Sequence, residues 1–194
     1  MYNEQICDAK TFRESLIVYI QTQLTYTDGL ACRIAYEQLK ANSIEGLQRL
    51  NETLFALCLA KETREGTRMI GERLWKLCRH IYSVDELDEI VQTKQSIHPA
   101  IVFAAVGRKI GATKQTTVLT YLFASVQTMV QNAVRGIPLG QTDGQQLLVM
   151  VQPYLIHATN IIEMLGEEEL GAAAIGLEIA QMQHERLPVR LFMS

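Results

Sequence analysis

Asp85-Glu86-Leu87-Asp88-Glu89 sets carboxylates on successive turns of a helix. Helical enzymes that process isoprenoids hold magnesium-diphosphate with such pairs. That chemistry needs a second acidic cluster facing the first, and Glu167-Glu168-Glu169 is a poor candidate. An acidic first turn is favoured by the helix dipole with no ligand at all, which is the simpler account of the run. The histidines are His80, His98, His157 and His184. None closes a Glu-x-x-His di-iron pattern or a His-Glu-x-x-His zinc pattern. His184-Glu185 could contribute to a metal site, but adjacent residues on a helix point about 100° apart and do not chelate together. There is no Gly-x-x-x-x-Gly-Lys-Ser/Thr loop, so the chain is not expected to bind and cleave a nucleotide by itself. No catalytic residue and no metal ligand set is assigned.

Two other stretches carry unusual residues. The run Gln131-Asn132-Ala133-Val134-Arg135-Gly136-Ile137-Pro138-Leu139-Gly140-Gln141-Thr142-Asp143-Gly144-Gln145 lies between two apolar helices. Local rules predict its shape: Arg135 ends one helix, Gly136 takes the left-handed position after it, and Pro138 opens the next. They leave Gln131, Asn132, Gln141, Gln145, Gly140 and Gly144 unexplained, and such a surplus points to a recognition surface or a close backbone approach. The second stretch, Lys61–Ile81, is locally basic but mixes in Glu62, Glu65 and Glu72. It reads as a solvated face, and it lacks the basic field and base-reading residues of a DNA-binding helix-turn-helix. Gly66 and Gly71 cost about 1 kcal/mol each inside a helix relative to alanine, which a close helix–helix approach explains better than chemistry.

These features sit in a chain of 194 residues, a one-domain length with mass for a real core. Apolar residues make up 48% and charged residues 20%, which fits a soluble globular protein. A net charge of −3 gives no general pull toward nucleic acid or anionic membrane. Apolar runs such as Ile101–Val106 are far too short to span a bilayer, and Met1–Gln5 lacks the features of a secretory signal. Cys7, Cys32, Cys58 and Cys78 form no Cys-x-x-Cys pair and read as reduced core side chains of a cytosolic protein.

Helical spacing is everywhere and strand-like alternation nearly absent. It predicts helices over Phe12–Leu24, Asp28–Lys40, Ile44–Cys58 and Lys61–Tyr82, the last burying Ile70, Leu74, Leu77, Cys78 and Ile81. Ser83-Val84-Asp85-Glu86 is a capping-box pattern that should start another. Further helices are expected from Pro99 to near Gly111, over Lys114–Arg135, over Leu139–Leu165 with a bend at Pro153, and near Gly176–Met182. The expected fold is an all-α bundle of about eight helices, ending in an extended C-terminal tail. That tail, Pro188–Ser194, brings Leu191, Phe192 and Met193 to a terminus where polar residues are usual. It either packs on its own domain or docks on another protein.

The chain resembles the family of the urease accessory protein UreF. Leu59–Gly71 is similar to the family's Glu/Arg-rich helix. The run Asn132–Gln145 looks like its Asn-Ala-Val-Arg-x-x-Pro-Leu-Gly-Gln-x-x-Gly-Gln signature. Leu177–Glu185 and Arg190–Ser194 resemble its Leu-Glu-Ile-x-x-Met-x-His-Glu segment and its Arg-Leu-Phe-x-Ser terminus. The likeness covers essentially residues 1–194, a single all-helical domain with residues 186–194 as a partner-docking tail. Two departures stand out. Met1 falls just after the position of the family's Asp-Ser-x-Phe-Pro-x-Gly opening, as expected of a truncated chain, of a start codon chosen too late, or of a member that lacks the segment. Met193 replaces a frequent Arg.

The resemblance implies a cytoplasmic, non-enzymatic homodimer. It would bind a UreD/UreH-type accessory protein, a UreG-type GTPase and urease apoprotein, with no nucleic acid and no membrane. The assembly couples GTP hydrolysis to nickel delivery; no cofactor is bound directly here, and nickel is handled by the complex. Partner-binding roles are expected for Asn132, Arg135, Pro138, Gly140, Gln141, Gly144 and Gln145. They extend to His184, Glu185, Arg190, Leu191, Phe192 and Ser194, with Leu191 and Phe192 as anchors. Glu62, Arg64, Glu65 and Arg68 are expected to face the GTPase or the dimer mate. On the residues alone, a helical ligand-binding or regulatory domain and a metal-dependent helical enzyme stay open.

Overall fold

The computed structural model describes residues 8–92, 96–171 and Met182, and no strand occurs among them. The first helix, α1 (Ala9–Tyr19), opens on a reciprocal cap: Thr11 N–H donates to Asp8 Oδ1 at 2.8 Å and Asp8 N–H donates to Thr11 Oγ1 at 3.3 Å. The sequence predicts a break after Leu24. Instead the chain continues through wide π turns, Ile20–Gly29, straight into α2 (Leu30–Lys40). Three threonines in this stretch bond back to the helix itself. Thr22, Thr25 and Thr27 hydroxyls donate to the carbonyls of Val18, Ile20 and Gln23 at 2.7, 2.6 and 2.8 Å. Gly29 is buried in helical conformation, and a Cβ there would lie 2.7 Å from Ile162 and 2.9 Å from Leu122. It serves the approach of two later helices and is not a turn.

The next helices are α3 (Ile44–Leu57), capped by the Ser43 hydroxyl, and α4 (Lys61–Tyr82). On α4 the expected apolar stripe is corrected. Cys78 is buried, but Ile70, Leu77 and Ile81 are 54%, 57% and 57% exposed. The buried side instead carries Gly66 and Gly71. A Cβ on Gly71 would run into the Ile97 carbonyl oxygen, so α4 packs on α6 by its glycine side. Ser83 does not cap a new helix. It ends α4 in the left-handed region at φ 51°, and a 3-10 turn (Asp85–Leu87) leads to the short α5 (Asp88–Gln92). Asp88 accepts from Arg79 at 2.6 Å, a use for one carboxylate of the acidic run.

After Pro99 at its first turn, α6 (Pro99–Lys109) is nearly all core, and Gly111 ends it at φ 76°. A hairpin of long helices follows, α7 (Lys114–Gly136) and α8 (Gln141–Ile162), the latter running on through Pro153. Gln115 reaches Asn160 near one end of the pair and Gly144 meets Val134 near the other, so the two helices are antiparallel. A 3-10 turn, Glu167–Glu169, follows. The expected helix near Gly176–Met182, apart from Met182, and the tail lie outside the described residues, as does Cys7; Cys32 and Cys78 are buried and Cys58 half-buried.

One apolar core runs from Phe12 to Ile162, with α2 packed against α6, α3 and α7. A charged clamp ties three helices at one end of it. Glu37 accepts from Arg33 at 2.6 Å and from Lys114 at 2.7 Å; Lys114 also meets Glu163 at 2.9 Å. Arg33 donates to the Leu165 carbonyl at 3.0 Å.

Candidate partner-docking site

The α7–α8 corner differs from its expected geometry in two places. Gly136 is the last residue of α7 and is not left-handed. Pro138 does not open α8, which starts at Gln141. Both differences have one cause. A proline pushes the residue before it toward extended backbone, and Ile137 is extended at φ −129°, ψ 162°. That stops α7 without a left-handed glycine. Leu139 then buries itself, and Gly140 N–H donates to the Asp143 carboxylate at 3.2 Å, capping α8 from within its first turn.

Asn132, Arg135, Pro138, Gly140, Gln141 and Gln145 are all exposed at this corner. No hydrogen bond or ion pair among the described residues engages the side chains of Asn132, Arg135, Gln141 or Gln145. Gly144 is the exception, being buried. A Cβ there would sit 2.9 Å from Val134 and 3.4 Å from Val130, so this glycine lets α8 close on α7. The corner is thus a bracket between two packed helices with uncommitted donors and acceptors on its outer side. Arg135 presents a guanidinium able to serve several carbonyls at once.

Glu62, Arg64, Glu65 and Arg68 lie on the first turns of α4. Arg64 is already used, donating to the Cys58 carbonyl at 2.9 Å. Arg68 lies 5.9 Å from the Phe55 ring centre and 3.7 Å from Glu65. His184, Glu185, Arg190, Leu191, Phe192 and Ser194 lie outside the described residues.

Sequence reasoning missed one polar site. A cavity of about 140 Å³ opens between the π turns, α3 and α4, lined by Tyr19, Asp28, Phe55, Cys58, Thr67 and His98 among others. His98 caps α6: its Nδ1 accepts from Ala100 N–H at 3.3 Å, and its backbone N–H donates to Asn51 Oδ1 at 2.9 Å. Nε2 therefore carries the proton and faces Asp28 Oδ1 at 3.8 Å. Burial lowers the His98 pKa below its usual 6.5, and the Asp28 charge only partly offsets this. With Nδ1 committed, Nε2 has no lone pair free for a metal. Among the described residues no group of three or more His, Cys, Asp or Glu could hold a metal ion. The available signal was the pairing of His98 with Pro99, a cap before a proline-opened helix.

Comparison with known proteins bears on this arrangement. A family model described as UreF matches residues 6–152, which takes in α1 through most of α8 and the whole corner. The urease accessory protein UreF of Geobacillus kaustophilus (strain HTA426) is 92% identical over 194 residues, covering 100% of this chain and 86% of the relative. The proteins of the same name from Bacillus sp. (strain TB-90) and Lachnoclostridium phytofermentans are 49% and 47% identical over 193 residues, each covering 97% of this chain and 85% of the relative. The match is continuous across the helices that build the corner and the core beneath it, and on that ground the chain belongs to the UreF family of urease accessory proteins.

Proposed function

We propose that this protein is a non-enzymatic adaptor of the cytoplasm. It joins a UreD/UreH-type accessory protein and a UreG-type GTPase to urease apoprotein, so that GTP hydrolysis drives nickel insertion. Nickel is cargo of the assembly, not a resident cofactor of this chain. The observation that carries this reading is the corner Asn132–Gln145, whose outer polar side chains are exposed and uncommitted among the described residues. In this reading Leu191 and Phe192 are the apolar anchors of the partner contact and Arg190 its polar clamp, with the corner as their support. Co-expression with the urease subunits and the other accessory proteins tests it. Deleting Arg190–Ser194, or replacing Arg135 by alanine, is expected to abolish co-purification with the UreD/UreH-type partner and urease activation. Helicity should stay intact. Retention of both by the shortened chain would remove the tail from the mechanism.

The adaptor is a homodimer in this proposal, and the outer face of the α7–α8 hairpin is its contact surface. No Asp, Glu, Lys or Arg stands between Lys114 and Arg135, and α8 carries Asp143 alone of these types. Val149 and Ile156 are 65% and 53% exposed there, beside a groove lined by Leu119, Phe123 and Gln152. A face without charge meets its own copy with no like-charge penalty. Two helices of this length, about 33 Å, side by side across about 20 Å, offer roughly 650 Å² per protomer, close to a standard interface.

A further inference from the structure

The outward stripe of α4 is not explained by the packing of the fold. Ile70, Leu77 and Ile81 follow helical spacing along one side, Leu74 between them is half-buried, and Tyr82 at the end is 39% exposed. Contiguous exposed apolar side chains of this kind mark interaction surfaces more often than isolated ones do. The charge around it is one-sided. Helix α4 carries Lys61, Arg64, Arg68, Arg73, Lys76 and Arg79 against Glu62, Glu65 and Glu72, in a chain whose net charge is −3. Along the stripe itself the carboxylate is already occupied, since Glu72 accepts from the Ser96 hydroxyl at 2.8 Å. Arg79 is paired with Asp88. Arg73 and Lys76 remain, both exposed and with no ion pair among the described residues. His80 is exposed beside them.

We propose that the C-terminal half of α4, Ile70–Tyr82, is a docking surface for an acidic amphipathic helix of a protein partner. The apolar stripe takes the partner's apolar face, and Arg73 and Lys76 meet carboxylates on its flanks. The stripe spans about 17 Å, which a partner helix of about three turns would cover. Charge complementarity selects the occupant: a second copy of this chain would set Arg73 and Lys76 against the same cations, whereas an acidic helix neutralises them. This surface lies beyond Glu62–Arg68 on the same helix, and its test does not use urease activation, so it stands or falls apart from the adaptor reading.

The probe is a synthetic helical peptide of about 20 residues with leucines on one face and glutamates on both flanks. Fluorescence anisotropy on the full chain should show saturable binding that weakens as salt is raised from about 50 to about 300 mM. Leu77→Glu with Ile81→Glu, both exposed and expected to leave helicity unchanged, should weaken it about tenfold or more. Arg73→Glu with Lys76→Glu should do the same, and its residual binding should no longer weaken as salt is raised. Several results would overturn the proposal. These are equal binding of a lysine-flanked peptide, indifference to both double variants, or binding to phosphatidylglycerol vesicles with none to the peptide. So would binding that appears only after residues 172–194 are deleted, because the chain itself would then own the surface.

Discussion

A methyl group at residue 71 has no room. Its carbon would meet the Ile97 carbonyl oxygen, which is backbone and cannot rotate away. Gly71→Ala gains helix propensity of about 1 kcal/mol, yet the collision should dominate and leave the protein about 1–3 kcal/mol less stable in urea unfolding. An unchanged or raised midpoint would mean that α4 does not approach this closely. The sequence reading puts a close helix–helix approach at Gly66 and Gly71; both are buried, and at Gly71 the approach is by backbone just before a helix. What approaches Gly71, the extended residues before α6, was beyond local rules because the contact is distant along the chain. His98 makes a second residue-scale prediction. Burial holds its folded pKa below 6.5, so near and below that pH the unfolded chain binds more protons than the folded one. Stability from this site is complete above pH 6.5 and falls as pH drops, by at most about 1.4 kcal/mol per pH unit. His98→Asn keeps a capping side chain and should flatten that slope in unfolding curves taken between about pH 7 and pH 5.

At the scale of elements, Arg33, Glu37, Lys114 and Glu163 bind α2, the start of α7 and the end of α8 into one unit. Burial pushes the Glu37 carboxyl up, but Lys114 and Arg33 outweigh it and hold it below the usual 4.5. The clamp therefore contributes stability above pH 4.5 and loses it as pH falls through the folded value. Lys114 is raised above 10.5: burial pulls it down, and its bonds to Glu37 and Glu163 more than reverse that. Its share is present below pH 10.5 and is lost as the solution becomes more alkaline than the folded value. Glu37→Gln should lower the thermal midpoint at neutral pH and make it less sensitive to acid below pH 4.5; an unaltered acid limb would rule the clamp out as its source. Nearly every helix was legible from periodicity, to within a residue or two at Ile44–Leu57, Lys61–Tyr82 and Pro99–Lys109. The unbroken passage from α1 to α2 is the plainest miss. Between Leu24 and Asp28 the helix runs on, and the hydroxyls of Thr22, Thr25 and Thr27, which compete for backbone groups, find their acceptors inside it.

For the whole molecule, the proposed dimer gives a direct measurement. Val149→Asp with Ile156→Asp changes two exposed side chains on a face otherwise almost free of charge. Light scattering should find the parent protein as a dimer and this variant as a monomer of unchanged helicity, while a dimeric variant would place the contact elsewhere. The sequence by itself determined that the chain is all-helical, where most helices begin and end, and which family it joins. Each of these follows from local periodicity, capping and linear motifs. Only the tertiary structure decided which way α4 faces, because glycines on its other side admit a closer and better-buried contact than Ile70, Leu77 and Ile81 would. It alone assembled Asp28, Cys58 and His98 around one cavity, since residues so far apart share no local signal. It also separated the corner's residues into Gly144, which the packing of α7 on α8 requires, and Arg135 and its polar neighbours, which that packing leaves exposed.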